Sequence, residues 1–358
     1  MSLKAGIVGL PNVGKSTLFN AITKQNILAA NYPFATIDPN VGVVNVPDER
    51  INVLNDMYKP ARLIPTSFEF TDIAGLVKGA SSGEGLGNKF LSHIRETDAI
   101  IEVVRCFDDD NIIHVEGKCD PIRDIEIINL ELSLADLEII TNRLDKIKKK
   151  AETTKDKESL IEVGALEKNI PLRVISFTDE EKIIIKPFCF LTQKPIIYLA
   201  NVMEDSFNDE NEYYKQVVQY ANKEGSRAIK ISAKLESDLI DYTETEKKEM
   251  LDMLGIKTSG LDELIKVTYE LLGLRTYFTV GSDEVRAWTF RDGMNAKECA
   301  GIIHSDFEKG FIRAEVISYD DLVTYGDELR VKEAGKFRLE GKDYLMQDGD
   351  ICHFRFNV

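Results

Sequence analysis

The stretch Gly9-Leu10-Pro11-Asn12-Val13-Gly14-Lys15-Ser16 decides the fold, because it matches GxxxxGK followed by Ser or Thr, the pattern of phosphate-binding loops. The apolar run Ala5–Val8 precedes it, and Leu18, Phe19 and Ile22 follow it with helical spacing. A strand before the loop and a helix after it are the context that this pattern requires. The glycines let the backbone curl so that main-chain N–H groups point inward at a phosphate. The sequence therefore predicts a phosphate-binding loop between a buried strand and a helix.

The predicted loop also supplies the charge and the hydroxyl that a bound nucleoside triphosphate needs. Lys15 can place its ammonium group against the β- and γ-phosphates, which gives it a catalytic as well as a binding role. Ser16 can offer its hydroxyl oxygen to Mg²⁺. The residues that we expect at the phosphates are Asn12, Val13, Gly14, Lys15, Ser16 and Thr17.

A second motif, Phe70-Thr71-Asp72-Ile73-Ala74-Gly75, follows the loop as an apolar strand that ends in an acid. Asp72 can hold Mg²⁺ through water, and the Gly75 N–H can meet the γ-phosphate. Between the two motifs, Thr36 would complete the Mg²⁺ shell when triphosphate is bound. Many enzymes of this class orient the attacking water with a glutamine at the position of Leu76, and a leucine cannot do so. The predicted metal ligands are Ser16, Thr36 and Asp72, and the predicted switch residues are Thr36, Asp72, Gly75 and Leu76.

Apolar strand-like runs alternate with helical stretches through most of residues 1–275. This alternation predicts an α/β fold of the P-loop NTPase type, with a doubly wound, mainly parallel sheet covered on both faces. The predicted strands after the first are Val41–Val46, Phe68–Ile73, Ala99–Val104, Pro195–Ala200 and Arg227–Ser232.

The interval from about 122 to 194 departs from this alternation. Leu130, Leu134 and Leu137 recur three and four residues apart with charges between them, which is typical of an amphipathic helix. The pattern predicts one long helix from Ile122 to Lys149, about 42 Å in length at ~1.5 Å per residue. Such a helix exceeds what a crossover needs, so we expect a projecting, coiled-coil-like helical hairpin.

Residues 276–358 have a different sequence pattern, in which short runs of alternating apolar and polar residues are separated by glycine turns. This pattern predicts a separate β-rich domain. We therefore expect a nucleotide-binding domain over 1–275, interrupted by the helical insertion, and a second domain over 276–358. The predicted strands of the second domain are Thr276–Val280, Val285–Thr289, Ile312–Ile317, Glu328–Val331 and Ile351–Phe356.

Composition excludes several classes of protein. The 358 residues include 45 Lys and Arg against 61 Asp and Glu, a net charge of −16, which argues against a surface that coats nucleic acid. No run approaches the ~20 apolar residues of a membrane span, and the first residues do not read as a signal peptide. Five cysteines without a CxxC pair indicate neither a disulfide framework nor a zinc site. We expect a cytoplasmic location and no membrane partner.

The base-side loops favour adenine over guanine. In proteins of this class that bind guanine nucleotides, a strand ends in Asn or Thr followed by the pattern KxD. The aspartate of that pattern accepts hydrogen bonds from the N1–H and the 2-amino group of guanine. Here the strand ends in Asn201-Val202-Met203-Glu204, so a valine replaces the lysine and the acid is one methylene longer. Loss of the bidentate pair should cost guanine on the order of 1–3 kcal/mol. Adenine could instead offer N6 to the Val202 carbonyl and N7 to Asn201. The residues expected at the base are Asn201, Val202, Glu204, Ser232 and Ala233.

The order of these motifs resembles the Obg-like ATPase (YchF) family. The matching strings are GLPNVGKS, YPFATIDPN, DIAGLVKGASSGEGLGNKF, NVME and SAK. The segment 347–356 resembles that family's carboxy-terminal TGS domain, a β-grasp module. The resemblance implies Mg²⁺-dependent hydrolysis of ATP in preference to GTP, and association with ribosomes or RNA through the helical arm and the TGS domain. It also implies that His114 is catalytic and that Asn12 lies at a K⁺ site.

Three functions remain open at this point. The first is an ATP-hydrolysing regulator of translation or stress response. The second is a GTPase switch, which would require Glu204 to read guanine despite its length. The third is a nucleotide-gated module that binds RNA or the ribosome and in which hydrolysis is incidental.

Overall fold

The computed structural model describes residues 3–28, 40–73, 86–112, 114, 117–168, 171–204, 207 and 210–357. These residues form two compact units. The first contains the residues up to Val44 together with Glu69–Leu264, and the second contains Asn45–Phe68 together with Ile265–Val358. Within the described residues, no helix is long and apolar enough to cross a membrane.

The strands and helices carry one numbering along the chain. The strands are β1 (Lys4–Val8), β2 (Val41–Asn45), β3 (Arg62–Ile64), β4 (Ser67–Asp72), β5 (Ala99–Arg105), β6 (Ile196–Asn201), β7 (Arg227–Ile231), β8 (Leu274–Thr279), β9 (Glu284–Arg291), β10 (Phe311–Ser318), β11 (Arg338–Glu340) and β12 (Asp350–Phe356). The helices are α1 (Lys15–Leu28), α2 (Glu49–Tyr58), α3 (Leu86–Arg95), α4 (Pro121–Thr154), α5 (Lys157–Leu166), α6 (Asp179–Ile185), α7 (Glu212–Lys223), α8 (Ala233–Asp238), α9 (Glu244–Met253), α10 (Gly260–Leu271), α11 (Ala296–Ile303), α12 (Ser305–Lys309), α13 (Tyr319–Tyr325) and α14 (Glu328–Glu333).

The first unit is built on a six-stranded sheet in the order β2-β4-β1-β5-β6-β7. The pairs β1–β4, β1–β5, β5–β6 and β6–β7 are parallel. Every residue of β5 and β6 is buried, as expected for central strands covered on both faces. The mainly parallel sheet predicted from the sequence is confirmed. Parallel strands bring their carboxyl ends to one edge of the sheet, so the ends of β1, β4, β5, β6 and β7 lie together there.

The helical insertion starts with α4, which has 34 residues and is longer at both ends than predicted. The Asp120 side chain accepts a hydrogen bond from the Arg123 N–H and so caps the first turn. At ~1.5 Å per residue the helix is about 51 Å long. The spacing of Leu130, Leu134 and Leu137 indicated the helix correctly, but these three side chains are 57%, 41% and 49% exposed. The face that α4 buries is formed instead by residues such as Ile125, Ile128, Leu132 and Ile140.

The second unit contains a mixed sheet in the order β11-β10-β12-β8-β9-β3. Its two apolar clusters take alternate residues of the same strands, because successive side chains of a strand point to opposite faces. Tyr277 and Cys352 belong to one cluster, whereas Phe278 and Ile351 belong to the other. The sheet is therefore covered on both faces, as a β-rich domain with its own core requires.

Residues Asn45–Phe68 cluster with the second unit, although the sequence analysis placed them in a domain over 1–275. Helix α2 supplies Ile51 and Leu54 to the apolar cluster around Phe278. The edge strand β3 pairs in parallel with β9. The Arg50 guanidinium lies 2.8 Å from both the Asp48 and the Asp348 carboxylates. The segment packs with the second unit because the partners of its apolar and charged side chains belong to that unit. These partners lie far away in sequence.

The prediction of a strand at Glu328–Val331 is wrong, because this segment begins helix α14. The Asp327 carboxylate accepts a hydrogen bond from the Arg330 N–H at 2.8 Å and caps the helix. Val331 is buried against the cluster around Phe278. Four residues are too few for period-2 alternation to outweigh a capping residue directly before them.

Candidate nucleotide site

The loop between β1 and α1 has the backbone conformation of a phosphate cradle. Asn12 and Gly14 have positive φ angles of 63° and 94°, so the chain reverses its curvature within three residues. A side chain at position 14 would also overlap the Asn201 amide, and a Cβ at position 9 would lie 2.8 Å from the Val103 carbonyl oxygen. Both glycines are therefore required by close approach of neighbouring groups, and Gly14 also by its φ angle.

The Lys15 ammonium group contacts the Asp72 carboxylate. The two side chains are 11% and 23% exposed, so the pair is partly shielded from water. This contact places the acid at the end of β4 beside the first turn of α1, where Ser16 follows in sequence. Two of the three predicted metal ligands thus come from neighbouring elements. The third, Thr36, lies outside the described residues, as do Gly75 and Leu76.

Two cavities adjoin at this loop. The smaller, of about 460 Å³, is formed by the loop and α1 and is lined by Leu10, Pro11, Asn12, Gly14, Lys15, Ser16 and Thr17. The larger, of about 570 Å³, extends over the ends of β5, β6 and β7. Its lining comprises Asn12, Gly14, Thr17, Phe107, Asp109, Ile112, Asn201, Val202, Met203, Glu204, Ser232, Ala233, Lys234 and Leu254. The cavities share three residues, which makes them two ends of one site. We call the smaller the phosphate cavity and the larger the base cavity.

Asn201 ties the phosphate loop to the base-side loops. Its Nδ2 donates to the Val13 carbonyl at 2.9 Å, and its Oδ1 accepts from the Ala233 N–H at 2.9 Å. The residue is 4% exposed, so these bonds are shielded from water. The sequence predicts this amide at the base. The structure shows that it first holds three loops together, and one hydrogen of the Nδ2 group is used in doing so.

The remaining predicted base-side residues all line the base cavity. Val202 is buried, and its N–H donates to the Ile231 carbonyl at 2.8 Å. The Glu204 carboxylate lies 3.4 Å from the Lys234 ammonium group, and that lysine is largely exposed. Ser232 is buried and caps α8 by accepting from the Leu235 N–H. The Glu204–Lys234 ion pair therefore lies at the rim of the cavity. Its floor is formed by the buried residues Val202 and Ser232, the second of which caps α8.

Helix α8, which begins at the base cavity, is anchored by a buried acid that the sequence analysis did not identify. Glu236 accepts a hydrogen bond from the Leu261 N–H at 3.3 Å at the start of α10. Burial raises the pKa of its carboxyl group to about 7, while the Lys247 ammonium group and the main-chain donors oppose this rise. Ser232 and Ala233 thus stand at the start of a helix that is held in place by the hydrogen bond between Glu236 and α10.

His114 forms a buried pair with an acid of α4. It is 7% exposed, and its Nε2 is 2.8 Å from the Asp124 carboxylate in the first turn of α4. The same carboxylate is 3.3 Å from the Arg123 guanidinium. Among the described residues that line the phosphate and base cavities, His114 does not occur. The family resemblance implies a catalytic role for this histidine, and the structure shows it in a buried pair with Asp124.

Sequence reasoning missed one wall of the base cavity, formed by Phe107, Asp109 and Ile112 after β5. These residues match no nucleotide motif. The available signal was topological, since their loop follows a central strand of a parallel sheet and so opens at the same edge as the phosphate loop. Arg105, a cation at the end of an apolar strand, was a second signal that the sequence analysis did not use.

Family models match both parts of the chain. Residues 4–143 match a model described as a 50S ribosome-binding GTPase. Residues 274–357 match a carboxy-terminal domain model of YchF GTPases, described as a protein of unknown function.

Full-length relatives are named consistently. A protein of Bacillus subtilis named ribosome-binding ATPase YchF is 57% identical over 100% of both chains. The protein of the same name from Escherichia coli is 53% identical, again over 100% of both chains. Among solved structures, the YchF GTPase of Schizosaccharomyces pombe is 44% identical with a TM-score of 0.89, covering 99% of this chain and 98% of that one. A GTP-binding protein of Pyrococcus horikoshii, 23% identical with a TM-score of 0.63, shares the fold.

Proposed function

Since the chain belongs to the YchF family, we propose that it binds and hydrolyses ATP at the phosphate loop and associates with ribosomes. The observation that carries the first half is the continuity of the two cavities through Asn12, Gly14 and Thr17. A polyphosphate in the phosphate cavity directs the attached nucleoside into the base cavity. The second half rests on the names of the full-length relatives, which are described as ribosome-binding.

The oxygen ligands around the phosphate loop fit Mg²⁺. A serine hydroxyl and an aspartate carboxylate are hard donors of the kind that this ion takes together with phosphate oxygens. Ser16 and Asp72 would hold it, and Thr36 would join them. When bound, Mg²⁺ neutralises charge on the β- and γ-phosphates. Lys15, in contact with Asp72, is placed to turn its ammonium group toward the same oxygens.

K⁺ is a second ion that we propose at this site, at Asn12. The residue lines both cavities and has a positive φ angle, which turns the loop at that point. A side-chain amide oxygen is a suitable ligand for a weakly charged cation beside the phosphates. The main support for this ion is the family resemblance carried by the phosphate loop.

Adenine is the base that the cavity favours. Val202 is buried and cannot flank a purine as a lysine does. The Glu204 carboxylate has a cationic neighbour in Lys234, which competes with the two guanine donors for the same oxygens. The second hydrogen of the Asn201 amide can be donated to N7 of either purine. Guanine therefore gains less here than in a site with an aspartate reader.

The competing function is a GTPase switch. It is favoured by the family model of a ribosome-binding GTPase and by the presence of an acid at position 204. A titration of the full chain with fluorescent ATP and GTP analogues in Mg²⁺ buffer separates the two functions. We expect ATP to bind about 5- to 150-fold more tightly, which corresponds to ~1–3 kcal/mol. Equal or tighter binding of GTP would contradict the assignment of the base.

His114 is the residue that we propose to position the attacking water, because Leu76 stands where a glutamine often does. This role requires the ring to exchange Asp124 for a water beside the γ-phosphate. We expect His114→Ala to slow ATP turnover at least about tenfold, a lower bound for a lost water-positioning group. Phosphate release at saturating ATP measures the effect.

Two controls accompany that variant. His304→Ala changes an exposed histidine of the second unit and should leave turnover unchanged. A melting curve shows how much of the His114 effect is loss of the buried pair with Asp124. Unchanged turnover in a folded His114→Ala protein would end the proposal for this residue.

The helical arm and the carboxy-terminal unit are the parts that we propose to contact the ribosome or RNA. The arm offers the exposed leucines at 130, 134 and 137 along one helix. Association with ribosomes would place the protein in the cytoplasm. A nucleotide-gated module is the remaining alternative. It is supported if a Lys15 variant that no longer releases phosphate keeps the wild-type co-sedimentation with ribosomes and its dependence on nucleotide.

A further inference from the structure

Arg105 is a buried cation that none of the nucleotide motifs includes. It is the last residue of β5 and is 3% exposed. It pairs in register with Asn201 of the neighbouring strand β6, the residue that ties the phosphate loop to the base-side loops. The two residues therefore end adjacent central strands at the edge where the site lies.

The Arg105 guanidinium donates to three main-chain carbonyl groups of the loop that follows it. Nε donates to Phe107 at 3.0 Å, and the two terminal nitrogens donate to Ile112 at 2.9 Å and to Asp109 at 3.3 Å. These three acceptors are the residues of this loop that line the base cavity. One side chain thus fixes each point at which the loop forms the wall.

The chemistry of these contacts explains why arginine stands here. Among the described residues its partners are carbonyl oxygens and no carboxylate, so its charge serves to order backbone. The planar guanidinium has donors that point in several fixed directions, whereas a lysine ammonium is a compact charge on a flexible stem. The guanidinium also lies 4.6 Å from the centroid of the Phe107 ring, which orients that ring as well as its carbonyl.

We propose that Arg105 is the positioning residue of the base cavity, holding the wall Phe107–Ile112 in place before a purine enters. This inference rests on the proposed function, in that the cavity takes the base of a nucleoside triphosphate. Arg105 acts through Phe107, Asp109 and Ile112. Because a preformed wall spares the bound state the cost of ordering a loop, its loss weakens nucleotide binding.

The position of the wall specifies which kinetic constant changes. Phe107, Asp109 and Ile112 line the base cavity and do not line the phosphate cavity that contains Lys15, so we expect the wall to contribute equally to binding of the ground state and the transition state. Removing such uniform binding raises KM and leaves kcat unchanged. The wall also encloses the purine without forming hydrogen bonds to its edge, so KM for ATP and KM for GTP should rise by the same factor.

The test is Arg105→Lys in the full chain, with Arg173→Lys as a matched control. Arg173 is another arginine of the same unit whose side chain is 5% exposed and bonded to Glu224 and Asn129, and it is absent from the lining of the base cavity. We expect KM for ATP to rise at least about fivefold in Arg105→Lys, in line with the loss of charge-assisted hydrogen bonds. The same factor should apply to GTP, and kcat should stay within about twofold. Arg173→Lys should lower the melting temperature without changing KM.

Several outcomes would overturn the proposal. One is an unchanged KM in Arg105→Lys, and another is an equal rise in KM in the arginine 173 variant. A change in the ATP-to-GTP ratio would mean that the loop reads the base edge. If the wild-type chain shows the reverse base preference but both KM values still rise together, the ATP assignment fails and the role of Arg105 stands.

Hydrogen–deuterium exchange on the wild-type chain keeps the test independent of how the variant folds. Without nucleotide, the amides of Asn111 and Ile112, which both donate to Asp109, should already exchange at least about tenfold more slowly than an unstructured peptide. Adding ATP should slow them little further. Exchange at the unstructured rate before ATP is added would show that no preformed wall exists.

Discussion

Lys15→Met is expected to hydrolyse ATP at least about 100-fold more slowly than the wild-type chain, the size of effect seen when one preorganised charged donor is removed from a reacting centre. The lysine is the cation of the phosphate cavity, and its ammonium group contacts Asp72. Methionine keeps the length and the apolar stem but cannot balance the charge that develops on the phosphates. Release of inorganic phosphate at saturating ATP measures the loss.

A matched lysine gives this prediction its control. Lys182 lies on the exposed surface of α6 and pairs with Asp179. Lys182→Met removes the same charge far from the phosphate loop and should retain full turnover. If Lys15→Met retained more than about a tenth of wild-type turnover while staying folded, the loop would not be the site of hydrolysis. Ribosome co-sedimentation with the same variant shows whether binding to the partner needs a functional loop.

The second large effect is expected from Gly14→Ala, which should abolish tight nucleotide binding. The φ angle of 94° is one that an alanine adopts only at a cost of about 1–3 kcal/mol. The added Cβ would also overlap the Asn201 amide, which bonds Val13 and Ala233. Because that amide ties together the phosphate loop and the base-side loops, we expect ATP affinity to fall at least about 100-fold. Calorimetric titration measures it.

Gly164→Ala is the control for that substitution. Gly164 lies inside α5, and apart from its chain neighbours and the backbone of its own helix no described heavy atom lies within 4 Å of the place its Cβ would take. Alanine in a helix interior is more favourable than glycine by roughly 0.5–1 kcal/mol, so this variant should be slightly more stable and should bind ATP normally. If both variants bound ATP equally well, the argument from the Gly14 backbone would be wrong.

The phosphate loop could be predicted because its chemistry is local in sequence. Gly9, Gly14 and Lys15 lie within seven residues of one another, and the strand and helix that flank them have clear periodicity. The parallel sheet was equally accessible, since β5 and β6 are mainly apolar, with Glu102, Arg105 and Asn201 as the exceptions. What the sequence indicates well is therefore the set of features whose partners are near neighbours or whose pattern repeats.

The features that could not be predicted depend on distant partners. Nothing near Arg50 in sequence shows that its second carboxylate is Asp348, almost three hundred residues away. Nothing near His114 shows that its ring is buried against Asp124 at the start of a long helix. The amide of Asn201 likewise meets Val13 across most of the domain. Such contacts arise from the packed fold, and a single sequence carries no direct record of them.

Because Asn45–Phe68 belong to the second unit, they determine which fragments of the chain can be expressed separately. A fragment encoding only residues 276–358 would omit Ile51 and Leu54 and would leave Phe278 and Ile351 with part of their apolar covering removed. It would also lose β3, the neighbour of β9 at one edge of the sheet. Recombinant expression of the second unit by itself thus calls for joining Asn45–Phe68 to the later segment through an artificial linker.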